Sequence, residues 1–170
     1  MKDWKNQIKS SDPNSFEIGN IWNSSDQLHE IIEDMCSLIS KIEFDVIAGI
    51  EMKGVIFASS LACTLKKPLI IFRKRGKITY TNEKYVFQFN NWKNEKDGLE
   101  IEIDQLQKNK KILVVDDMVH KLKSINAVQS IINKSTSIIT GYLCFANLSG
   151  ENELDNKSIF SLISSNSKVS

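Results

Sequence analysis

Apolar residues recur at three- and four-residue intervals from Asp26 to Ile42: Leu28, Ile31, Ile32, Met35, Leu38, Ile39 and Ile42. That spacing sets them on one face of an α-helix, and Ser24 or Ser25 supplies the hydroxyl that caps its start. The next segments have a different texture. Asp45-Val-Ile-Ala-Gly-Ile50 is short and apolar without alternation, which predicts a buried strand. Glu51-Met52-Lys53-Gly54 then forms a tight loop, and Val55 to Lys66 is helical, with small residues Ala58, Ser59, Ser60 and Ala62 that permit close packing. Lys67-Pro68 ends that helix. Leu69 to Phe72 predicts a second strand, running into the basic turn Arg73-Lys74-Arg75-Gly76-Lys77.

Residues 78–98 are polar and aromatic, and Tyr85, Phe87 and Phe89 alternate as one arm of a hairpin does. Leu99 to Ile103 alternates too and is the candidate partner arm. A strand over 111–116 and a helix over 124–134 follow, then apolar strands over Ser137–Phe145 and Ser158–Ile163. Residues 1–25 are polar, with a turn at Asp12-Pro13-Asn14, and Phe16, Ile18, Ile21 and Trp22 are apolar enough to pack. Strand, helix, strand, hairpin, strand, helix, strand is an α/β alternation. It predicts a mainly parallel sheet flanked by helices on both faces, in one domain spanning 1–170.

Composition changes this picture little. A chain of 170 residues with 41% apolar and 25% charged residues buries a proper core, and a net charge of +1 gives no electrostatic reason to expect nucleic acid or membrane as a partner. The polar start and the lack of a roughly 20-residue apolar run are what a cytoplasmic protein is expected to show. Cys36, Cys63 and Cys144 are odd in number and each falls in an apolar segment, so buried free thiols are expected. His29, beside the first helix's apolar stripe, is expected at the surface.

The chemistry lies in three loops. Ligands of parallel α/β sheets bind beyond the carboxyl ends of the strands, which gathers Glu51–Gly54, Arg73–Lys77 and Asp116–Ser124 at one end. In the first, amide N–H groups at a helix start and the Lys53 charge favour an anion. The second places four cations within five residues. In the third, the strand Ile112-Leu-Val-Val115 delivers Asp116 and Asp117, and Ser124-Ile-Asn-Ala-Val opens a helix. A ligand that satisfies all three carries phosphates at two ends and hydroxyls between them. A phosphorylated ribose bearing pyrophosphate is such a ligand, its hydroxyls donating to the carboxylates and its pyrophosphate bringing Mg²⁺.

These segments resemble type I phosphoribosyltransferases, most of all the adenine phosphoribosyltransferase branch. Asp45 to Phe57 is similar to that family's pyrophosphate loop, Pro68 to Lys77 to its next strand and basic turn, Gly98 to Leu106 to the strand after its flexible loop, and Ile112 to Val128 to its signature for 5-phosphoribosyl-1-pyrophosphate. Phe16-Glu-Ile18 is a weak echo of its N-terminal hood, placed within 1–25. The resemblance implies Mg²⁺-dependent transfer of phosphoribose to a purine base, adenine first, giving a nucleoside monophosphate and pyrophosphate. Asp116 and Asp117 would bind the ribose; Glu51, Met52, Lys53, Gly54, Arg73, Lys74 and Lys77 the pyrophosphate; and His120, Lys121, Leu122, Lys123 and Ser124 the 5′-phosphate. Residues 78–98 would be a lid over the reaction. The metal would be held mainly by pyrophosphate rather than by protein ligands, and the protein would be a homodimer.

Two departures qualify that expectation. The family's Ala-Thr-Gly-Gly-Thr loop is replaced here by His120-Lys121-Leu122-Lys123-Ser124. Glycine gives such a loop unusual φ and close backbone approach to phosphate. Leu122 and Lys123 adopt such a backbone only with strain, about 1–3 kcal/mol per residue. Either Lys121 and Lys123 replace backbone contacts with point charges, or they are solvated on a loop that no longer grips phosphate. His120 either contacts base or ribose or is simply exposed. The family's lid carboxylate also has no clean equivalent in Phe89–Gly98, where Glu95 is nearest. The alternative function is therefore a catalytically impaired member, acting as a nucleotide-binding or regulatory module.

Overall fold

A computed structural model describes residues 2–12, 15–18, 21–90, 96–106 and 108–165. Among the described residues, eight strands form the main sheet in the order β5-β6-β4-β3-β7-β8-β10-β9. They are β3 (Val46–Ile50), β4 (Leu69–Lys74), β5 (Lys84–Asn90), β6 (Lys96–Glu102), β7 (Lys111–Val119), β8 (Ile138–Asn147), β9 (Glu153–Leu154) and β10 (Lys157–Ser164). The pairings β4–β3, β3–β7, β7–β8 and β8–β10 are parallel, and β5–β6, β6–β4 and β10–β9 are antiparallel. The expected mainly parallel α/β sheet is present, with a hairpin added at one edge.

The sheet is buried on both faces. Helices α1 (Ser25–Leu38) and α2 (Lys53–Leu65) share one apolar cluster with alternate side chains of β3, β7 and β8, including Ile47, Leu113, Val115, Leu143 and Phe145. Helix α3 (Lys123–Ile132) and the hairpin cover the other face, around Ala48, Ile50, Phe72, Val114, Tyr142 and Cys144. This division follows from period-two alternation along continuous apolar strands. Helix α2 lies so close to β3 that a Cβ on Gly49 would sit 2.8 Å from the Ala58 Cβ. Small residues at that crossing are what the packing distance requires.

The sequence anticipates most element boundaries, with instructive exceptions. Ser24 caps α1 as expected, its Oγ accepting from the Gln27 N–H at 3.2 Å. The helix ends at Leu38 rather than Ile42, although Ile39 and Ile42 still pack in the same cluster as the helix stripe. The strand expected to stop at Asp116 runs on to Val119, because Met118 and Val119 continue the ladder against Ala146 and Asn147. The N-terminal segment holds strands β1 (Ile8–Asp12) and β2 (Ser15–Ile18), paired antiparallel around the expected turn, whose Pro13 and Asn14 lie outside the described residues.

This segment docks on the α1–α2 face. Trp4 is buried with its Nε1 donating to Asp34 Oδ2 at 3.0 Å. Ile18 and Ile21 are also buried, and Trp22 meets Phe57 with ring centroids 5.2 Å apart. The cysteines correct one expectation. Cys144 is buried, Cys36 is half-buried, and Cys63 is exposed, because it falls on the solvent side of α2. His29 is at the surface as expected, 3.3 Å from Glu33.

Candidate active site

The carboxyl ends of β3, β4 and β7 lie side by side, and the three predicted loops meet there. Glu51 follows β3 directly. Its Oε2 accepts from Arg73 Nε at 3.1 Å and from the Lys74 backbone N–H at 2.7 Å, and its own N–H donates to the Phe72 carbonyl at 2.9 Å. The first loop therefore braces the basic turn, and Arg73 is neutralised by Glu51 rather than left open. The Glu51–Met52 peptide is cis. Helix α2 begins at Lys53 with no side-chain cap from Met52, and Met52 itself is exposed.

Gly54 connects this loop to the acids. A Cβ at Gly54 would lie 2.8 Å from Asp116 Oδ1, 2.9 Å from Asp116 Cα and 3.1 Å from the Val115 carbonyl oxygen. Only glycine lets the start of α2 rest against β7 at that point. Asp116 is 7% exposed and its Oδ1 accepts from the Asp117 backbone N–H at 2.9 Å. Burial, then the neighbouring Asp117 charge, pushes the Asp116 carboxyl well above the usual carboxylate range, against a weaker downward pull from Lys74. Burial also raises Asp117, with the Asp116 hydrogen bond and the Lys53 charge opposing it. Two carboxyls side by side in a poorly solvated site titrate as a coupled pair.

Beyond Asp116 the strand opens on a cavity of about 220 Å³. Asp116, Met118, Val119, the whole of His120–Ser124 and Ile125 line it, together with Lys74 and, from the hairpin, Phe89 and Asp97. Leu122 has φ +48°, so the loop keeps the left-handed backbone that glycine would supply. Such a residue costs about 1–2 kcal/mol when it carries a Cβ. Leu122 is also the N-cap of α3 and gives it no side-chain cap, so the helix's first turn, Lys123-Ser124-Ile125, forms the cavity wall with its positive dipole end. Lys123 does not adopt a left-handed backbone. Its Nζ donates to the Asn90 carbonyl of β5 at 2.6 Å, and Lys121 is exposed at the rim.

Of the residues picked out in the sequence, Asp116, His120, Lys121, Leu122, Lys123, Ser124 and Lys74 surround one cavity. Glu51 and Gly54 abut it through their contacts with Lys74 and Asp116. Asp117, Lys53, Arg73 and Lys77 do not line it, and Lys77 is exposed on the turn. Phe89 and Asp97 belong to the cavity without having been singled out. Phe89 was legible from its alternation with Tyr85 and Phe87, whereas nothing local marks Asp97. Glu95 lies outside the described residues.

Residues 17–169 match the phosphoribosyl transferase domain, and the chain belongs to that family. Among its relatives are the adenine phosphoribosyltransferases of Caldicellulosiruptor saccharolyticus, 30% identical over 105 residues, and of Pseudothermotoga lettingae, 35% identical over 116 residues. Those alignments cover 61% and 67% of this chain, and the chain spans 57% and 65% of the relatives' own lengths. The crystal structure of the adenine phosphoribosyltransferase from Thermoanaerobacter pseudethanolicus superposes with a TM-score of 0.83 at 22% identity, covering 94% of this chain and 96% of that one. The fold is thus that of a type I phosphoribosyltransferase.

Proposed function

We propose that this chain transfers phosphoribose from 5-phosphoribosyl-1-pyrophosphate to a purine base, with adenine as the first choice because its relatives carry that activity in their names. The observation that supports this most directly is the cavity in which a buried carboxyl, a left-handed loop, an uncapped helix N-terminus and three lysines face one another. Hydroxyls, a phosphate and a second anionic group are what such a lining recognises together.

In this reading Asp116 and Asp117 accept hydrogen bonds from the ribose hydroxyls. The first turn of α3, with Ser124, Lys121 and Lys123, receives the 5′-phosphate, and His120 contacts ribose or base. Lys74, Lys53 and the Met52–Gly54 amides receive pyrophosphate, with Glu51 holding Arg73 and the turn in place and Lys77 adding charge at the rim. A ring nitrogen of the base forms the bond to C1 of the ribose as the C1–O bond to pyrophosphate breaks; the bonding electrons leave with pyrophosphate, and the proton of that ring nitrogen is released to water. Carboxylates beside an oxocarbenium-like ribose favour that charge distribution, and holding three components in line supplies much of the rate.

Among the described residues no group of three or more His, Cys, Asp or Glu forms a metal cage. One or two carboxylates with substrate phosphates are the usual surroundings of Mg²⁺. The Asp116–Asp117 pair fits a metal carried mainly by pyrophosphate, where it would neutralise the leaving group. Residues 78–98 would be the lid that excludes water, the N-terminal segment the hood over the base, and the whole a single domain in a homodimer.

The test is calorimetry of 5-phosphoribosyl-1-pyrophosphate with Mg²⁺, followed in the same sample by adenine, hypoxanthine, guanine and xanthine with product analysis. A nucleoside monophosphate and pyrophosphate are expected. An absence of binding at millimolar ligand would overturn the reading. It would favour the second one, a phosphate loop impaired by Leu122 in a chain that acts as a binding or regulatory module.

A further inference from the structure

Strand β8 is apolar and buried from Leu143 to Ala146 and then ends on a buried amide, Asn147, which is 2% exposed. A buried amide needs hydrogen-bond partners, and Asn147 finds them in its own loop. Its Nδ2 donates to the Glu151 carbonyl at 2.7 Å, and its Oδ1 accepts from the Ser149 N–H at 3.1 Å and from the Ser149 Oγ at 2.7 Å. The Ser149 Oγ accepts in turn from the Glu151 N–H at 3.1 Å, and Gly150 turns the chain at φ +82°. Residues 148–151 are thereby folded back on the end of their own strand. That fold aims one amide at β7: the Leu148 N–H donates to the Val119 carbonyl at 2.7 Å. Val119 is the last residue of β7, stands in register with Asn147 and lines the cavity, and His120–Ser124 continue the cavity wall from it. Strand β3 pairs with β7 opposite Ile112 to Val115, so from Asp116 to Val119 the ladder that holds β7 is the one to β8.

Resting on the function proposed above, we infer that Asn147 is a positioning residue for the 5′-phosphate. It does not line the cavity and acts through the peptide that joins Val119 to His120. That peptide is trans and planar, so the bond that fixes the Val119 carbonyl also fixes the direction of the His120 N–H, away from β8. The plane sets where the loop leaves the sheet, and with it the path of His120–Ser124 to the first turn of α3. A helix N-terminus and lysines bind a phosphate only where their donors converge, and a small displacement of the loop weakens them together. The groups assigned to pyrophosphate are carried elsewhere. Lys74 stands on β4, and Met52–Gly54 follow β3. Asn147 therefore governs one end of the ligand and leaves the other alone.

Asn147→Ala and Ser149→Ala test this in the full chain. The first removes the amide; the second removes one of its partners from a half-buried position and carries the comparison if the first does not fold. Asn152→Ala, which removes an exposed amide just beyond the loop, is the control. Two ligands are titrated by calorimetry at a temperature where circular dichroism shows each protein folded. Ribose 5-phosphate reports the 5′-phosphate end, and magnesium pyrophosphate reports the other. Asn147→Ala is expected to bind ribose 5-phosphate about tenfold more weakly than wild type, and Ser149→Ala about threefold. Pyrophosphate affinity is expected to stay unchanged in both, and Asn152→Ala to match wild type throughout. A purely structural Asn147 lowers Tm without separating the two ligands. Equal loss for both ligands, or no loss for ribose 5-phosphate, therefore overturns the inference. If wild type makes nucleotide while the variants bind as it does, this inference falls alone. If ribose 5-phosphate binding weakens selectively but wild type makes no nucleotide, the transferase reading falls and the positioning role stands. Failure of wild type to bind either ligand overturns both.

Discussion

Gly54 is the residue at which fold and chemistry are least separable. Its missing side chain is the space into which Asp116 fits, and the contacts a Cβ would make are with backbone and with the carboxylate itself. Backbone cannot rotate away as a flexible side-chain end can. Gly54→Ala is therefore expected to destabilise the protein by about 1–3 kcal/mol, the usual range for overpacking, and to weaken 5-phosphoribosyl-1-pyrophosphate binding by displacing Asp116. Urea unfolding and calorimetry on the same variant check both parts. Unaltered affinity with a loss of stability would mean that Asp116 does not touch the ligand. The sequence showed Gly54 only as part of a loop. Its role depends on a contact with a residue 62 positions away in number, and no local pattern carries such a distance. Asp97 was illegible for the same reason, because its partner Lys74 is 23 residues distant. Trp4 is a third case, an apolar residue in a polar segment whose burial depends on Asp34 of α1 to satisfy its indole N–H.

At the scale of elements, the β7–α3 connection holds His120–Ser124 where the resemblance implied a glycine-bearing loop. The sequence predicted strain at Leu122 and Lys123 alike. The structure confines the left-handed backbone to Leu122, and Lys123 is already the first residue of α3. The difference arises because β7 extends to Val119, which shortens the loop and starts the helix one residue earlier than the apolar pattern indicated. Leu122→Gly is expected to keep the loop's path. It relieves about 1–2 kcal/mol of backbone strain and gives up a partly buried apolar side chain. With the two effects opposed, stability should change by less than about 1 kcal/mol. Phosphate affinity should rise several-fold as the backbone becomes approachable. A Leu122→Gly protein with unchanged affinity, measured beside an active wild type, would mean that the lysines have taken over the glycines' work. The hairpin, by contrast, was legible. Alternation of Tyr85, Phe87 and Phe89 reflects one face lying on the cluster around α3, and those residues pair with Ile101, Leu99 and Asp97.

Across the whole molecule, buried carboxyls pull the pH dependence of stability in opposite directions. Burial raises the Glu100 carboxyl, but the Ile78 N–H, Lys84 and the Gly76 N–H outweigh it and leave the group below its usual range. A depressed folded pKa contributes stability above the unfolded value, near 4.5, and loses it as pH falls through the folded value. The Asp116–Asp117 pair has the reverse sign. Its carboxyls are raised in the folded state by burial, with mutual repulsion adding to the rise at Asp116. Its contribution is therefore fully present below the unfolded value near 3.8 and is lost as pH rises through the folded values. At neutral pH the site is held at the expense of the fold. Asp116→Asn with Asp117→Asn should abolish 5-phosphoribosyl-1-pyrophosphate binding. It should also raise Tm, by about 2–4 °C for each kcal/mol regained in a chain of this size, and the gain over wild type should widen between pH 4 and pH 8. Glu100→Gln should do the opposite, lowering Tm at pH 7 and converging with wild type in acid. Thermal scans of the three proteins across that range separate the two signs. A double Asn variant less stable than wild type at pH 7 would show that the acids are structural partners, and the assignment of the ribose site to them would fall.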